Sequence, residues 1–182
     1  MVIGQKLITF EEFEAFTALQ EHRDRNFELI DGEIIEKAMP TKEHGFIAGY
    51  LIIEIGILLK LNPIGRIGPE IRHRVDNYNA RQPDVSFYLY IAEIEGTKGT
   101  TSPIPDLAIE VKSPTDTYKA MRERAQYYVK NDVKLVWLIF PEKRIVEVYT
   151  ADKHDILTEN DTLDGGDLLP GFSLAVTSIF DL

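Results

Sequence analysis

The segment Pro105-Asp106-Leu107-Ala108-Ile109-Glu110-Val111-Lys112-Ser113-Pro114 holds a carboxylate and an ammonium two residues apart in a run that alternates like a β-strand. Leu107, Ile109 and Val111 form an apolar face, and Ala108, Glu110 and Lys112 form the other. A divalent cation such as Mg2+ takes oxygen ligands at about 2.1 Å, so two carboxylates sharing one must bring their oxygens within a few ångströms of each other. Asp106 and Glu110 fail that condition, because four residues of strand separate them by roughly 13 Å. Asp84 can meet it. It stands in Pro83 to Leu89, an upstream alternating run that can pair beside the first, with Asp84, Ser86 and Tyr88 opposite Val85, Phe87 and Leu89. Lys112 lies roughly 6.6 Å beyond Glu110 on the same face, a reach that suits an ammonium near a metal-bound water or a scissile phosphate. Such a set would polarise a phosphodiester, lower the pKa of the attacking water and offset growing negative charge. A cross-strand ion pair on a half-exposed sheet is the competing explanation.

The surrounding elements must bring these strands together. Thr9 and Glu12 have capping-box spacing, with Phe13, Phe16 and Leu19 following at helical intervals, which predicts a helix from Thr9 to about Gln20. Asp31-Gly32 between two apolar alternations predicts a hairpin over 27–36, and places Glu28 beside it as an ordinary polar strand residue. A second helix is expected from Pro40-Thr41 to about Leu61, apolar enough to be buried, with His44 in its first turn. The helix dipole disfavours a cation there, so His44 is either a neutral hydrogen-bonding or metal-adjacent imidazole or a surface histidine. Ile67 to Val75 reads as a strand, 93–102 as a loop, 118–131 as a helix, and Leu135 to Phe140 as a strand buried on both faces. Trp137 then belongs to the core. Arg122 and Arg124 are helix charges that could contact phosphates or simply face solvent. Short strands and turns are expected through Asp164-Gly165-Gly166-Asp167 and on to Leu182. This order of elements gives an α/β or α+β fold, a mixed sheet flanked by helices with additional hairpins, in one domain over 1–182.

Composition narrows the function classes. The chain of 182 residues has no cysteine, which excludes a disulfide framework, a zinc ribbon and a thiol nucleophile, and fits a reducing cytoplasm. No basic-then-apolar leader is expected in Met1 to Thr9, and no uninterrupted apolar run reaches membrane length. A net charge of −10 argues against nucleic-acid binding by bulk electrostatics. Residues 62–81 and 112–140 are nevertheless net positive, by +2 and +3, which leaves open a local positive patch on an acidic body or ordinary solvated faces.

Taken in order, the segments Phe27-Glu28-Leu29-Ile30-Asp31-Gly32-Glu33, His44-Gly45, Arg81-Gln82-Pro83-Asp84-Val85, Pro105-Asp106-Leu107, Glu110-Val111-Lys112-Ser113-Pro114, Val136-Trp137-Leu138 and Leu163 to Phe172 resemble the Uma-type restriction endonuclease family of the PD-(D/E)xK nuclease superfamily. The resemblance implies a restriction-endonuclease-like core and a metal, Mg2+ or Mn2+, held by Asp84, Glu110 and the Val111 carbonyl. It also implies Lys112 assisting the attacking water, and active-site parts for Glu28 and His44. In some related nucleases the following helix carries Gln and Tyr four apart, where this chain has Arg124 and Tyr128. DNA is the implied substrate. Cutting both strands of a duplex would favour a homodimer by symmetry, and an acidic nuclease could work through a partner protein that supplies DNA affinity. A binding or regulatory protein that keeps a nuclease fold without catalysis is the alternative.

Overall fold

The computed structural model describes residues 6–90 and 103–182, and the loop expected at 93–102 lies outside them. Helix α1 (Phe10–Thr17) begins at the expected capping box: Glu12 N donates to Thr9 Oγ1 at 3.3 Å, and Thr9 N donates to Glu12 Oε2 at 2.9 Å. It stops short of Gln20, where a turn of 3-10 helix over Gln20–His22 takes over. Strands β1 (Phe27–Ile30) and β2 (Glu33–Glu36) form the expected hairpin, pairing Phe27 with Glu36 and Ile30 with Glu33. Asp31 and Gly32 both take positive φ, 50° and 78°, the geometry a two-residue turn needs to match strand twist.

The strand expected over Ile67 to Val75 is two strands, β3 (Gly65–Pro69) and β4 (His73–Arg74). Glu70, with φ of 48°, turns the chain between them, and a non-glycine residue in that region breaks the extended run. The two pieces join different sheets. Strand β4 pairs with β5 (Ala80–Arg81), which pairs with β1, giving a small sheet in the order β2-β1-β5-β4. Phe10 and Phe13 of α1 pack against Phe27, Leu29 and Ala80, so this lobe has its own apolar centre.

The larger sheet runs β10-β9-β8-β7-β6-β3. It comprises β3 with β6 (Val85–Leu89), β7 (Leu107–Val111), β8 (Leu135–Phe140), β9 (Ile145–Tyr149) and β10 (His154–Leu157). All neighbours are antiparallel except β7 and β8, which are joined by helix α3 (Tyr118–Lys130) crossing over one face. Ala108, Val136, Leu138 and Phe140 meet Met121, Ala125 and Tyr128 of α3 on that face. The opposite face carries helix α2 (Lys42–Leu61), the hairpin of β11 (Thr162–Gly165) and β12 (Leu169–Ala175), and helix α4 (Val176–Phe180), packed on Val85, Phe87, Leu107, Ile109 and Trp137. The short strands expected in the tail are β11 and β12, and α4 stands where they were expected to continue. Strand β8 is buried throughout, and Trp137 is core, stacked on Phe172 with ring centroids 5.5 Å apart.

Helix α2 departs from its expected burial. Ile47, Leu51 and Ile55 enter the core, while Phe46, Ile53, Ile57 and Leu61 are exposed. The sequence is apolar on nearly every side of the helix, but only one side faces the sheet. With 20 residues and a mean hydropathy of 1.6 over its best window, α2 is also long and apolar enough to cross a membrane by length and composition. Glu54 interrupts its apolar run. Each buried Ile or Leu stabilises the packing by about 1.5–3 kcal/mol, which fixes the helix and with it the histidine in its first turn.

Candidate active site

Strands β6 and β7 pair Val85 with Ile109, and continuing that antiparallel register sets Asp84 opposite Glu110. The two strands lie side by side as the alternation suggested. Asp84 is buried and hydrogen-bonded at both oxygens. Its Oδ2 accepts from Val111 N at 2.8 Å and from His44 Nε2 at 2.9 Å, and its Oδ1 accepts from Lys37 Nζ at 3.0 Å. Burial pushes the Asp84 carboxyl up, but Lys37 and His44 outweigh it and hold the group ionised, well below the usual range. An ionised carboxylate only accepts, so the His44 Nε2 must carry a proton. Burial lowers the His44 imidazole, and its bond to Asp84 more than reverses this. The dipole cost noted from sequence is met by a carboxylate, and Thr41 caps the helix by accepting from His44 N at 3.2 Å.

Glu110 is buried on the α3 side. Tyr128 Oη donates to its Oε1 at 2.6 Å, and Arg124 Nη1 donates to its Oε2 at 3.1 Å. Burial nonetheless raises its carboxyl to about 7: Arg124 opposes the rise, but the nearby Asp84 and Glu28 charges add to it. Glu28, on β1, is equally buried. Its Oε1 accepts from Gln82 N at 2.9 Å, and its Oε2 lies 3.8 Å from Arg81 Nη1 and 3.9 Å from Arg124 Nη2. The hairpin of the small lobe therefore delivers Glu28 to the same place as the central strands.

Lys112 does not join this group. Its Nζ donates to the Ser113 carbonyl at 3.1 Å, lies 3.5 Å from Glu142 Oε1 and sits over the Tyr118 ring at 5.1 Å. Strand β7 ends at Val111, so the pleat that aligns Glu110 no longer governs the next side chain. Asp106 is also elsewhere, as its spacing requires: it accepts from Leu89 N at 2.8 Å and pairs with Lys134 at 2.7 Å. The ammonium that does reach Asp84 belongs to Lys37, the residue after β2, a position the sequence reading passes over. Lys37 Nζ also donates to the Gln82 carbonyl at 2.7 Å. Burial would lower its pKa, but Asp84, Glu110 and Glu28 together raise it, so it is an ammonium. Arg124 and Tyr128 carry a legible signal, being four residues apart on one helix face. Both converge on Glu110.

Glu28, Lys37, His44, Asp84, Glu110 and Arg124 line one cavity of about 240 Å³. Among the described residues, no three His, Asp or Glu side chains form a ready-made cage for an ion. The donor set still fits Mg2+ or Mn2+ by chemistry: Mg2+ keeps several waters and is held by one or two carboxylates plus substrate oxygens. Asp84 and Glu110 provide two hard carboxylates, and burial, with the Asp84 and Glu28 charges beside it, raises the Glu110 carboxyl.

An antiparallel β3-β6-β7 meander joined through α3 to a parallel β8, with acidic residues at the β6 and β7 ends, defines a restriction-endonuclease-like nuclease fold. The structure is similar to a crystal structure from Anabaena variabilis ATCC 29413, described as a putative nuclease belonging to DUF820. The TM-score is 0.82 and the identity 24%, covering 96% of this chain and 98% of that one. Residues 10–177 match the Uma2 family model, whose description reads "Putative restriction endonuclease", and the chain belongs to that family. The comparison with curated proteins gives no match.

Proposed function

We propose that the protein is a metal-dependent endonuclease that hydrolyses DNA phosphodiester bonds. The observation that carries this reading is that Asp84, one residue before β6 and bonded to Val111 N, and Glu110 of the adjacent β7 line the same cavity, where Glu110 is held at about 7 by burial and by its acidic neighbours. Asp84 and Glu110 would hold Mg2+ or Mn2+, with the Val111 carbonyl as a further oxygen. The ion would supply Lewis-acid activation of the phosphate and of the attacking water. His44 holds Asp84 in place through its Nε2 proton, Arg124 and Tyr128 orient Glu110, and Glu28 fixes the backbone before Asp84 through Gln82 N. Membership of the Uma2 family supports the nuclease class.

The test is a plasmid-nicking assay with Mg2+ or Mn2+ on wild type, Asp84→Ala and Glu110→Ala. Wild type should nick, and each variant should be slower by on the order of 10³-fold. Equal nicking by all three would mean a contaminant. The nonenzymatic alternative has one observation in its favour, that every oxygen of Asp84 and Glu110 already has a protein donor. Calorimetry showing no Mn2+ binding to wild type would favour it.

A further inference from the structure

We propose that Lys37, and not Lys112, supplies the ammonium that faces the scissile phosphate; this rests on the nuclease reading above. Three observations converge on it. Lys37 lines the cavity with Asp84 and Glu110, whereas Lys112 is absent from its lining and is occupied by Ser113, Glu142 and Tyr118. The Lys37 ammonium is 3.0 Å from Asp84 Oδ1 and 2.7 Å from the Gln82 carbonyl, which uses two of its three donors and leaves one for a phosphate oxygen. Its backbone is fixed as well, because Lys37 N donates to the Asn26 carbonyl at 2.9 Å and so extends the β1–β2 ladder by one residue. A rigid hairpin therefore places the ammonium, and a preorganised cation at a developing charge is what stabilises a transition state.

The step is hydrolysis without redox change. The water oxygen forms a bond to phosphorus, one P–O ester bond breaks, and its electron pair stays on the leaving oxygen. That oxygen takes a proton, and the proton lost by the attacking water passes to solvent. Lys37 remains an ammonium throughout and donates to a non-bridging phosphate oxygen as the negative charge on it grows.

A rival explanation is that Lys37 merely sits where the metal would, so the test must separate the two. Lys37→Met, Lys37→Cys and Lys112→Met are compared with wild type for DNA cleavage and, separately, for Mn2+ binding by calorimetry. The chain has no native cysteine, so the thiol at position 37 of the Lys37→Cys protein can be treated in urea with 2-bromoethylamine and the protein refolded. The thiolate forms an S–C bond as bromide leaves, and an ammonium is restored at nearly the lysine length. Lys37→Met and untreated Lys37→Cys should cleave at least about 10²-fold more slowly while still binding Mn2+, and aminoethylation should restore at least about tenfold. Lys112→Met should stay within about threefold of wild type, since its ammonium is engaged outside the cavity. Wild-type cleavage by Lys37→Met together with tighter Mn2+ binding would overturn the assignment in favour of the place-holder. Loss confined to Lys112→Met would overturn it in favour of Lys112. If Lys37→Met fails to fold, the treated and untreated Lys37→Cys proteins, prepared identically, decide the matter, and no gain on aminoethylation overturns the proposal. A wild type that cleaves no DNA removes the nuclease reading itself and this assignment with it.

Discussion

Two buried glutamates on the same sheet receive nearly the same partners and end in opposite states. Glu110 on β7 has Arg124 and Tyr128; Glu147 on β9 has Arg122 and Tyr149. Both arginines come from α3. Arg122 contacts both Glu147 oxygens, through Nε at 3.1 Å to each and Nη2 at 2.6 Å to one, and His154 Nε2 adds a contact at 3.2 Å. Burial pushes Glu147 up, but Arg122 and Tyr149 more than reverse it, so the carboxyl is held below its usual value. Arg124 gives Glu110 a single hydrogen bond and is shared with Glu28, while Asp84 and Glu28 add like charge, so Glu110 is raised. A buried carboxylate is therefore not in itself a mark of function. What separates these two is whether the protein itself completes the charge compensation.

The comparison can be broken most sharply by kinetics. Glu110→Gln should lower DNA cleavage by on the order of 10³-fold, whereas Glu147→Gln should stay within a few-fold. A comparable loss in both would mean that the distinction has no catalytic content.

Next in size is the pH dependence of stability. Glu110 has a folded value of about 7 against an ordinary value of 4.5, so its contribution to stability is fully present below about 4.5 and is lost as pH rises through 7. At 1.36 kcal/mol per unit this is on the order of 3 kcal/mol. Glu147 has the opposite sign: its contribution is present above its ordinary value and fades as pH falls. Urea denaturation of wild type and Glu110→Gln from pH 5 to 8 should show the variant gaining relative to wild type as pH rises. A flat difference would contradict the raised carboxyl.

At pH 7, Glu147→Gln should cost about 2 kcal/mol in the same assay, because it strips a charged acceptor from Arg122 and Tyr149, and this should exceed the cost of Glu110→Gln. The smallest effect is expected from the two tyrosines. Tyr149→Phe should cost about 1 kcal/mol, while Tyr128→Phe should chiefly move the Glu110 titration, seen by carboxyl NMR, further upward because an anion-stabilising donor is gone.

Much of the architecture is legible because alternation and turn chemistry are local. Asp31-Gly32 sets its hairpin, Thr9 and Glu12 set the start of α1, and the apolar Leu135 to Phe140 run can only be a strand covered on both sides. The pairing of Asp84 with Glu110 follows from the same alternation once two carboxylates are required to meet. Lys112 shows where that logic stops, since face alternation holds only as far as the strand, and β7 ends one residue earlier. Lys37 is invisible for another reason: 47 positions separate it from Asp84, and only the docking of the small sheet on the large one brings them together. For α2, an apolar composition on all sides says nothing about which side meets the sheet.

The site is divided between two sheets with separate apolar centres. Asp84 and Glu110 belong to the large sheet, Glu28 and Lys37 to the lobe packed around Phe13, Phe27 and Leu29. Proteins open in sub-global units, and a four-stranded sheet of strands two to four residues long, backed by one short helix, opens at lower free energy than a six-stranded sheet with helices on both faces. A partial opening of this kind would withdraw the Lys37 ammonium and leave the Asp84–Glu110 pair in place. Heating would then erode turnover before it erodes the fold, with the midpoint of inactivation lying below the midpoint of global melting.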